Sequence, residues 1–492
     1  MKLIINYRDW IHCQLIGLTP DDTSIIYKKM RIFNPAAKYM SLYKLGRWDG
    51  YINYFNVTGV TYVNILPEIF SYIDISKYEI EEQYSDNLIQ DPDLGELIDS
   101  NYMSDLTWYE GHRLEGQSIK LEEHQVRCVN AMICQHRGLL EAATSAGKTL
   151  ICGALCRKVK PFGKVVLIVD GKDLCFQTAD ELKKFGSDVG IVGCGLRDFG
   201  HDVTVCTWQT VNSISKKTKD SLTLNEIEEL KKGVIAMIFD EAHRCKGNEV
   251  RKVAEQIFNN TPIRWGLTGT IPKQKIDYYN LAISIGPLLD ENVKAKELQD
   301  KGFLSNCQIR CIRLKDDYKF FTWDDEKEYL SSNVDRLSFM AELIKGIVTT
   351  QKNTLVLVDR IVTGETLESM LQNKGIDAIF LQGSVKSTKR FEEYKKFATE
   401  DNKCVIAIDK IASTGLNIPR LFNIVFIDYG KAFTKTIQSI GRGLRRASDK
   451  DFVTIYDISS TTHHSKKHFN DRIHFYEDAQ YPYQIMNIDI WK

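Results

Sequence analysis

Long apolar runs without polar interruption recur through this chain, separated each time by a stretch with helical patterning. Lys164–Asp170 reads KVVLIVD, and VTVCTW (Val203–Trp208), VIAMIFD (Val234–Asp240) and RWGLTGT (Arg264–Thr270) follow. The same grammar restarts with NTLVLVD (Asn353–Asp359), DAIFLQG (Asp377–Gly383), KCVIAID (Lys403–Asp409), NIVFID (Asn423–Asp428) and FVTIYD (Phe452–Asp457). Such strands must be covered on both faces, so alternating with helices they make parallel sheets flanked by helices. Two α/β sheets in tandem are expected, joined near residues 290–310.

Residues 1–78 read differently. LIINY (Leu3–Tyr7), YINYFN (Tyr51–Asn56) and VTYVNIL (Val60–Leu66) have strand character, and TPDDTSIIYKKM has helical character with Thr19 or Asp21 near its start. Arg47, Trp48, Asp49 and Gly50 form a turn between Tyr43 and Tyr51. This is a small α+β unit rich in aromatic residues. Lys plus Arg equals Asp plus Glu at 65 each, so net charge says nothing about a polyanionic partner. Residues 1–50, however, carry eight Lys/Arg against four Asp/Glu, and residues 79–110 carry ten Asp/Glu and no Lys or Arg. A basic binding face followed by an acidic connector is one reading; a solvated loop beside a small domain is the other.

The 492 residues suffice for about three domains. No run of eighteen apolar residues is present, and MKLIINYRDW has no secretory pattern. Twelve scattered cysteines without a C-x-x-C imply free thiols in a reducing cytoplasm. Cys152/Cys156 and Cys307/Cys311 lack partners and are expected as core thiols. His464 and His468 lie one helical turn apart without a third ligand, which points to a solvated basic helix and not a metal site.

Two motifs carry chemistry in the first sheet. Ala142–Thr149 reads AATSAGKT, after the apolar run Gly138–Leu140 and before a helix-forming stretch. It fits G-x-x-x-x-G-K-[ST], with Ala142 in place of the first glycine. A loop that opens a helix exposes unpaired N–H groups to anionic phosphates, including those of Ser145 and Ala146. Gly147 lets the backbone approach, Lys148 supplies a charge for the outer phosphates, and the Thr149 hydroxyl can hold Mg2+. Ile238–His243 reads IFDEAH. Asp240 would hold Mg2+ through water and Glu241 would polarise the attacking water. The second sheet has no such loop. It has Gln438, Arg442 and Arg445 in QSIGRGLRR, on a helix expected to start near Thr434. The two arginines share a helix face, as surface ion pairs or as arginine fingers reaching a γ-phosphate.

In this order the motifs resemble those of superfamily 2 helicases, over roughly residues 115–460. The resemblance implies two tandem RecA-like parallel-sheet domains preceded by a small α+β N-terminal domain. It places Gln125 as an adenine reader, and Thr268, Gly269 and Thr270, with His243, as the coupling segment. Gln382, Gly383 and Arg390 fall where the second domain meets the nucleic-acid backbone. Ser413, Thr414, Gly415, Leu416 and Asn417 fall on a further motif, in which Gly415 and Asn417 serve the nucleotide and Thr414 the strand. Thr207 and Gln209 fall on the first domain's strand-contacting motif, and Gln177 at the end of the preceding one. Asn417 stands where many relatives have aspartate, and Val169–Leu174 lacks the usual Pro-Thr. TSAGKT, GRWDGYINYF and Trp208 after VCT further resemble the phage UvsW-type recombination helicases.

That subfamily implies ATP and Mg2+ as cofactors. It implies branched DNA as substrate (Holliday junction, replication fork, R-loop), single-strand-binding or recombination proteins as partners, and the cytoplasm of a bacterial host. The expected organisation is residues 1–85 for duplex or junction binding, with Lys44, Arg47 and Trp48 among the contacts. An acidic connector (86–112), two ATPase/helicase domains (113–300 and 301–460) and a C-terminal extension (461–492) follow. For Trp48, packing beside apolar strands is the alternative to stacking on a base. An RNA helicase, a nuclease-associated translocase and an ATP-gated DNA-annealing protein are the rival functions.

Overall fold

The computed structural model describes the chain except residues 111–113, 144–145, 217–220, 302–305, 383–392, 394–395, 397–399, 409–419, 429–451, 479–480 and 491–492. It divides into two compact units, residues 1–142 with 146–292, and residues 143–145 with 293–492.

The first unit begins with the strands β1 (Lys2–Tyr7), β2 (His12–Ile16), β3 (Arg31–Phe33), β4 (Tyr51–Asn53), β5 (Val60–Tyr62) and β6 (Glu79–Tyr84). β5-β2-β1-β6 form one sheet, and β3 and β4 pair as a separate ribbon. Alternation in β1 sends Leu3, Ile5 and Tyr7 inward. The helix Pro20–Lys29 starts where Thr19 Oγ1 accepts the Asp22 N–H at 3.2 Å. The strand expected over Val60–Leu66 stops at Tyr62, giving way to a 3-10 turn (Val63–Ile65) and a short helix (Leu66–Phe70). Pro67 has no N–H to donate to a ladder but fits the first turn of a helix.

This small sheet is not free-standing. Its core includes Tyr279 and Ile283, from the helix Lys275–Ser284 of the following domain. The Asn64 amide donates to the Ile283 carbonyl (3.0 Å), the Tyr54 hydroxyl to Asn280 Oδ1 (3.3 Å), and the Trp10 N–H to the Asn259 carbonyl (3.0 Å). The acidic segment after β6 also lies against that domain. Leu94, Ile98 and Met103 are buried, Asp91 accepts from His136 (2.6 Å), and Asp105 pairs with Arg157 (2.7 Å).

The first large sheet contains β7 (Arg137–Ala142), β8 (Lys164–Val169), β9 (Val189–Gly193), β10 (Leu196–Arg197), β11 (Val203–Thr207), β12 (Val234–Asp240), β13 (Ile263–Thr268) and β14 (Leu288–Val293). Its order is β10-β9-β11-β8-β12-β13-β7-β14, and β9 through β7 are parallel. Arg264, inside an otherwise apolar run, is fully buried in it. Its guanidinium donates to the carbonyls of Ala254 (2.7 Å), Phe258 (2.7 Å) and Ser284 (2.6 Å). Ala254 belongs to a π-helical turn, Val253–Ile257.

The second unit holds β15 (Asn306–Leu314), β16 (Thr354–Val358), β17 (Ala378–Leu381), β18 (Cys404–Ile408), β19 (Asn423–Ile427), β20 (Phe452–Ser460) and β21 (Tyr483–Ile488), in the order β17-β18-β16-β19-β20-β15-β21. All the paired strands are parallel. The C-terminal segment completes this sheet, because β21 pairs with β15. The helix His463–Asp478 lies on it, with Arg472 and Tyr476 both donating to Asp457 Oδ2 at 2.9 Å. His464 and His468 pack against Trp323. The paired cysteines Cys152/Cys156 and Cys307/Cys311 are buried thiols, and burial pushes Cys156 up to about 12. No helix among the described residues is long and apolar enough to cross a membrane.

Candidate functional site

The functional ends of the first large sheet gather along its carboxyl edge, where open parallel sheets present ligand sites. Read across neighbouring strands, that edge shows Thr207 (β11), Asp170 (after β8), Asp240 (β12), Thr268 (β13) and Ala142 (β7). Register fixes this order: Thr207 lies opposite Val169, Asp240 opposite Leu267, and Thr268 opposite Glu141.

The phosphate loop runs from Ala142 into the helix Lys148–Val159. Gly147 caps that helix in the left-handed region (φ 79°), and a Cβ there would lie 2.3 Å from Gln125 Nε2. Gln125 is buried beneath the loop. Its Nε2 donates to the Ala146 carbonyl (3.3 Å), and its Oε1 accepts the Glu122 N–H (3.0 Å), closing a capping box on the helix Glu123–Cys134. His124 Nε2 lies 3.1 Å from the same carbonyl. Gln125 thus acts as a strut of the loop in this structure.

Lys148 Nζ lies 3.4 Å from the Ala142 carbonyl oxygen and 3.7 Å from Glu241 Oε1. Glu241 has φ 52°, unusual for a non-glycine residue, and its N–H donates to Asp240 Oδ1 at 3.0 Å. His243 Nδ1 is 3.0 Å from Thr268 Oγ1 and 3.3 Å from Glu241 Oε2. Thr268 Oγ1 in turn donates to the Thr270 carbonyl at 3.0 Å. That leaves the Thr268 oxygen to accept, which assigns the His243 proton to Nδ1. A continuous polar chain therefore runs from Lys148 through Glu241, His243 and Thr268 to Thr270.

On the strand side, Thr207 ends β11 and its hydroxyl donates to Thr210 Oγ1 at 2.8 Å. Gln209 and Trp208 open the helix Trp208–Lys216 and both donate to Asp170. Gln177 is exposed on the helix Lys172–Lys184, where its amide donates to Glu181 Oε1 (2.9 Å). In the N-terminal domain Lys44 and Arg47 are exposed. Trp48 joins neither the core nor open solvent: it is half-buried, with its indole N–H on the Tyr51 carbonyl at 2.9 Å. Ser145, Gly383, Arg390, Thr414, Gly415, Asn417, Gln438, Arg442 and Arg445 lie outside the described residues.

Sequence reading missed two polar hubs. One is Asp170 with Arg244. The other is Arg336, fully buried in the second unit between Asp316 (3.0 Å) and Asp428 (2.7 Å). In the sequence Asp170 and Asp428 merely end apolar runs, and Asp316 follows a strand interrupted by arginines.

Residues 118–273 match the family described as "Type III restriction enzyme, res subunit", and residues 335–447 match "Helicase conserved C-terminal domain". With two parallel sheets carrying these motifs in order, the chain belongs to the superfamily 2 helicases and is an ATP-dependent, nucleic-acid-binding hydrolase. Within that class it is UvsW-like. It is 23% identical over 502 residues to the ATP-dependent DNA helicase uvsW of Enterobacteria phage T4, covering 93% of each chain. It is 25% identical over 261 residues to the DNA 3'-5' translocase XPB2 of Sulfurisphaera tokodaii, covering 53% of this chain and 50% of that one. The fold is shared with a fragment of a putative HsdR subunit of a type I restriction enzyme from Vibrio vulnificus, at TM-score 0.56 and 16% identity, covering 75% and 68% of the two chains.

Proposed function

We propose that this helicase is a DNA translocase that remodels branched DNA, by branch migration, fork regression or R-loop unwinding. The observation that carries the reading is a basic N-terminal domain packed directly on the first motor domain. Residues 23–67 contain six Lys/Arg and one carboxylate, Asp49, which pairs with Arg31. Lys28, Lys29, Lys38, Lys44 and Arg47 are exposed beside Tyr39, which is 83% exposed. The domain that carries this surface shares one apolar core with the helix that follows Thr270, which supports a role in holding duplex while the motor handles a single strand.

In the motor, Lys148 and the loop amides bind the phosphates, Glu241 orients water, and Arg442 and Arg445 neutralise charge on the transferred phosphoryl. Thr149 and Asp240, with the hard oxygen donors that Mg2+ prefers, would hold the ion, which would supply charge neutralisation for the phosphates. Lys148→Ala, Glu241→Gln and Arg445→Ala are each expected to abolish nucleic-acid-stimulated turnover, and a wild-type rate in any of them removes its assigned role. The deciding comparison is unwinding of a fork, a Holliday junction and an R-loop against a plain partial duplex at fixed salt. Equal rates on all four refute branched-substrate preference, and stimulation by RNA in place of DNA refutes the DNA assignment.

A further inference from the structure

The helix Trp208–Lys216 is fastened at both ends to the segment that follows the DEAH box. At its start, Asp170 Oδ1 accepts from Trp208 Nε1 (2.9 Å) and Gln209 Nε2 (3.0 Å), while Asp170 Oδ2 meets Arg244 Nη1 at 2.5 Å. At its other end, Glu249 Oε2 accepts from Asn212 (2.8 Å) and Lys216 (2.5 Å), and Asn212 also donates to the Glu249 carbonyl at 3.1 Å. Glu249 Oε1 takes Lys252 at 2.7 Å, which keeps that carboxylate on the post-DEAH helix. Lys216 and Lys252 hold the Glu249 carboxyl well below the usual range. Arg244 lies three residues beyond Glu241, and Gln209 two beyond Thr207.

A charge-assisted bond at each end of a short helix fixes its orientation as well as its distance. Asp170 itself is largely shielded, whereas Arg244 stays 45% exposed, so this link lies at the solvent-facing edge where a strand would pass. Thr207, buried, and Gln209, exposed, stand at the end of β11, and Glu241 lies 3.7 Å from the phosphate-loop Lys148.

We propose that Asp170 is a positioning residue that couples strand binding to ATP turnover inside the first motor domain, with Arg244 as its partner and Glu249 as the second fastening. Movement of the Thr207–Gln209 corner on binding DNA is delivered through Asp170 and Arg244 to the Glu241 backbone. The 3.3 Å contact between His243 and Glu241 makes that carboxylate sensitive to such a shift. This coupling rests on the DNA-stimulated ATPase proposed above.

The test compares ATPase rates of the full chain with and without an oligothymidylate, for wild type, Asp170→Asn, Arg244→Gln and the double variant. Basal rates are expected within about twofold of wild type, and stimulated rates to fall by at least about tenfold in each single variant. The double variant is expected to be no worse than either single one, as for two members of one link. Arg244→Lys, which keeps the charge, should restore part of the stimulation. Trp208→Phe, which keeps an aromatic side chain but loses the indole N–H that Asp170 accepts, should lose part of it and guards against misfolding of the Asp170 variant. A purely structural role would lower basal and stimulated rates together and would overturn the proposal. So would unchanged stimulation in Asp170→Asn, or losses that multiply in the double variant. Lack of stimulation in the wild type itself would overturn the DNA-helicase reading along with this one.

Discussion

Arg336 sits between two carboxylates in the second unit with its side chain fully buried, so one of the three charges is in excess. Burial pushes the Asp428 carboxyl up to about 6, against the pull of Arg336, and its Oδ1 is buried without a donor among the described residues. A carboxyl whose folded value is raised penalises the fold when ionised. Stability from this group is therefore fullest below about pH 4, near the unfolded value, and is lost as pH rises towards about 6. A shift of that size corresponds to on the order of 2–3 kcal/mol. Asp428→Asn is expected to flatten the change in denaturant midpoint between about pH 4 and pH 6 relative to wild type. An identical pH profile would contradict it. Arg264 offers a second residue-scale test. Arg264→Leu leaves the carbonyls of Ala254, Phe258 and Ser284 buried without this donor. At about 1–3 kcal/mol for each lost partner, a destabilisation of at least about 3 kcal/mol is expected in thermal melting.

At the scale of elements, the phosphate loop depends on a single backbone shape. Gly147 needs both its left-handed φ of 79° and the space that Gln125 Nε2 occupies 2.3 Å from a hypothetical Cβ. Gly147→Ala should therefore keep the fold and lower ATP turnover by at least about tenfold, from a backbone penalty of about 1–2 kcal/mol plus the clash. A rate within twofold of wild type would show that the loop adapts. The apolar runs made β8, β12, β13, β16 and β19 legible, because strands buried on both faces need uninterrupted apolar residues. Their final aspartates were not equally legible. Asp170, Asp240, Asp359 and Asp428 each close such a run, yet they meet Arg244, the Glu241 N–H, Lys327 and Arg336 respectively. The partner comes from a distant element in most cases, and local pattern carries no trace of it. β15 and β21 escaped for a related reason. NCQIRCIRL mixes arginines into its run, and YQIMNI becomes a strand only by pairing with β15.

For the first unit as a whole, the acidic segment and the basic domain have opposite fates. The acids at 91 and 105 are matched by His136 and Arg157 of the motor, while Lys38, Lys44 and Arg47 stay exposed. Replacing those three cations with alanine should weaken forked-DNA binding and reduce the slope of log affinity against log salt by roughly 2–3. Basal ATPase should be unchanged. A slope equal to wild type would place the duplex elsewhere. The shared core has a further consequence, in the order of synthesis. Tyr279 and Ile283 complete a core whose other walls are Leu3, Ile5 and Tyr54. A ribosome must therefore deliver the first motor domain as far as Ile283, all but its last strand, before the first eighty or so residues can close their apolar side. Until then the nascent sheet carries an open hydrophobic face, so chaperone capture of the growing chain is expected to end only after residue 283 has emerged.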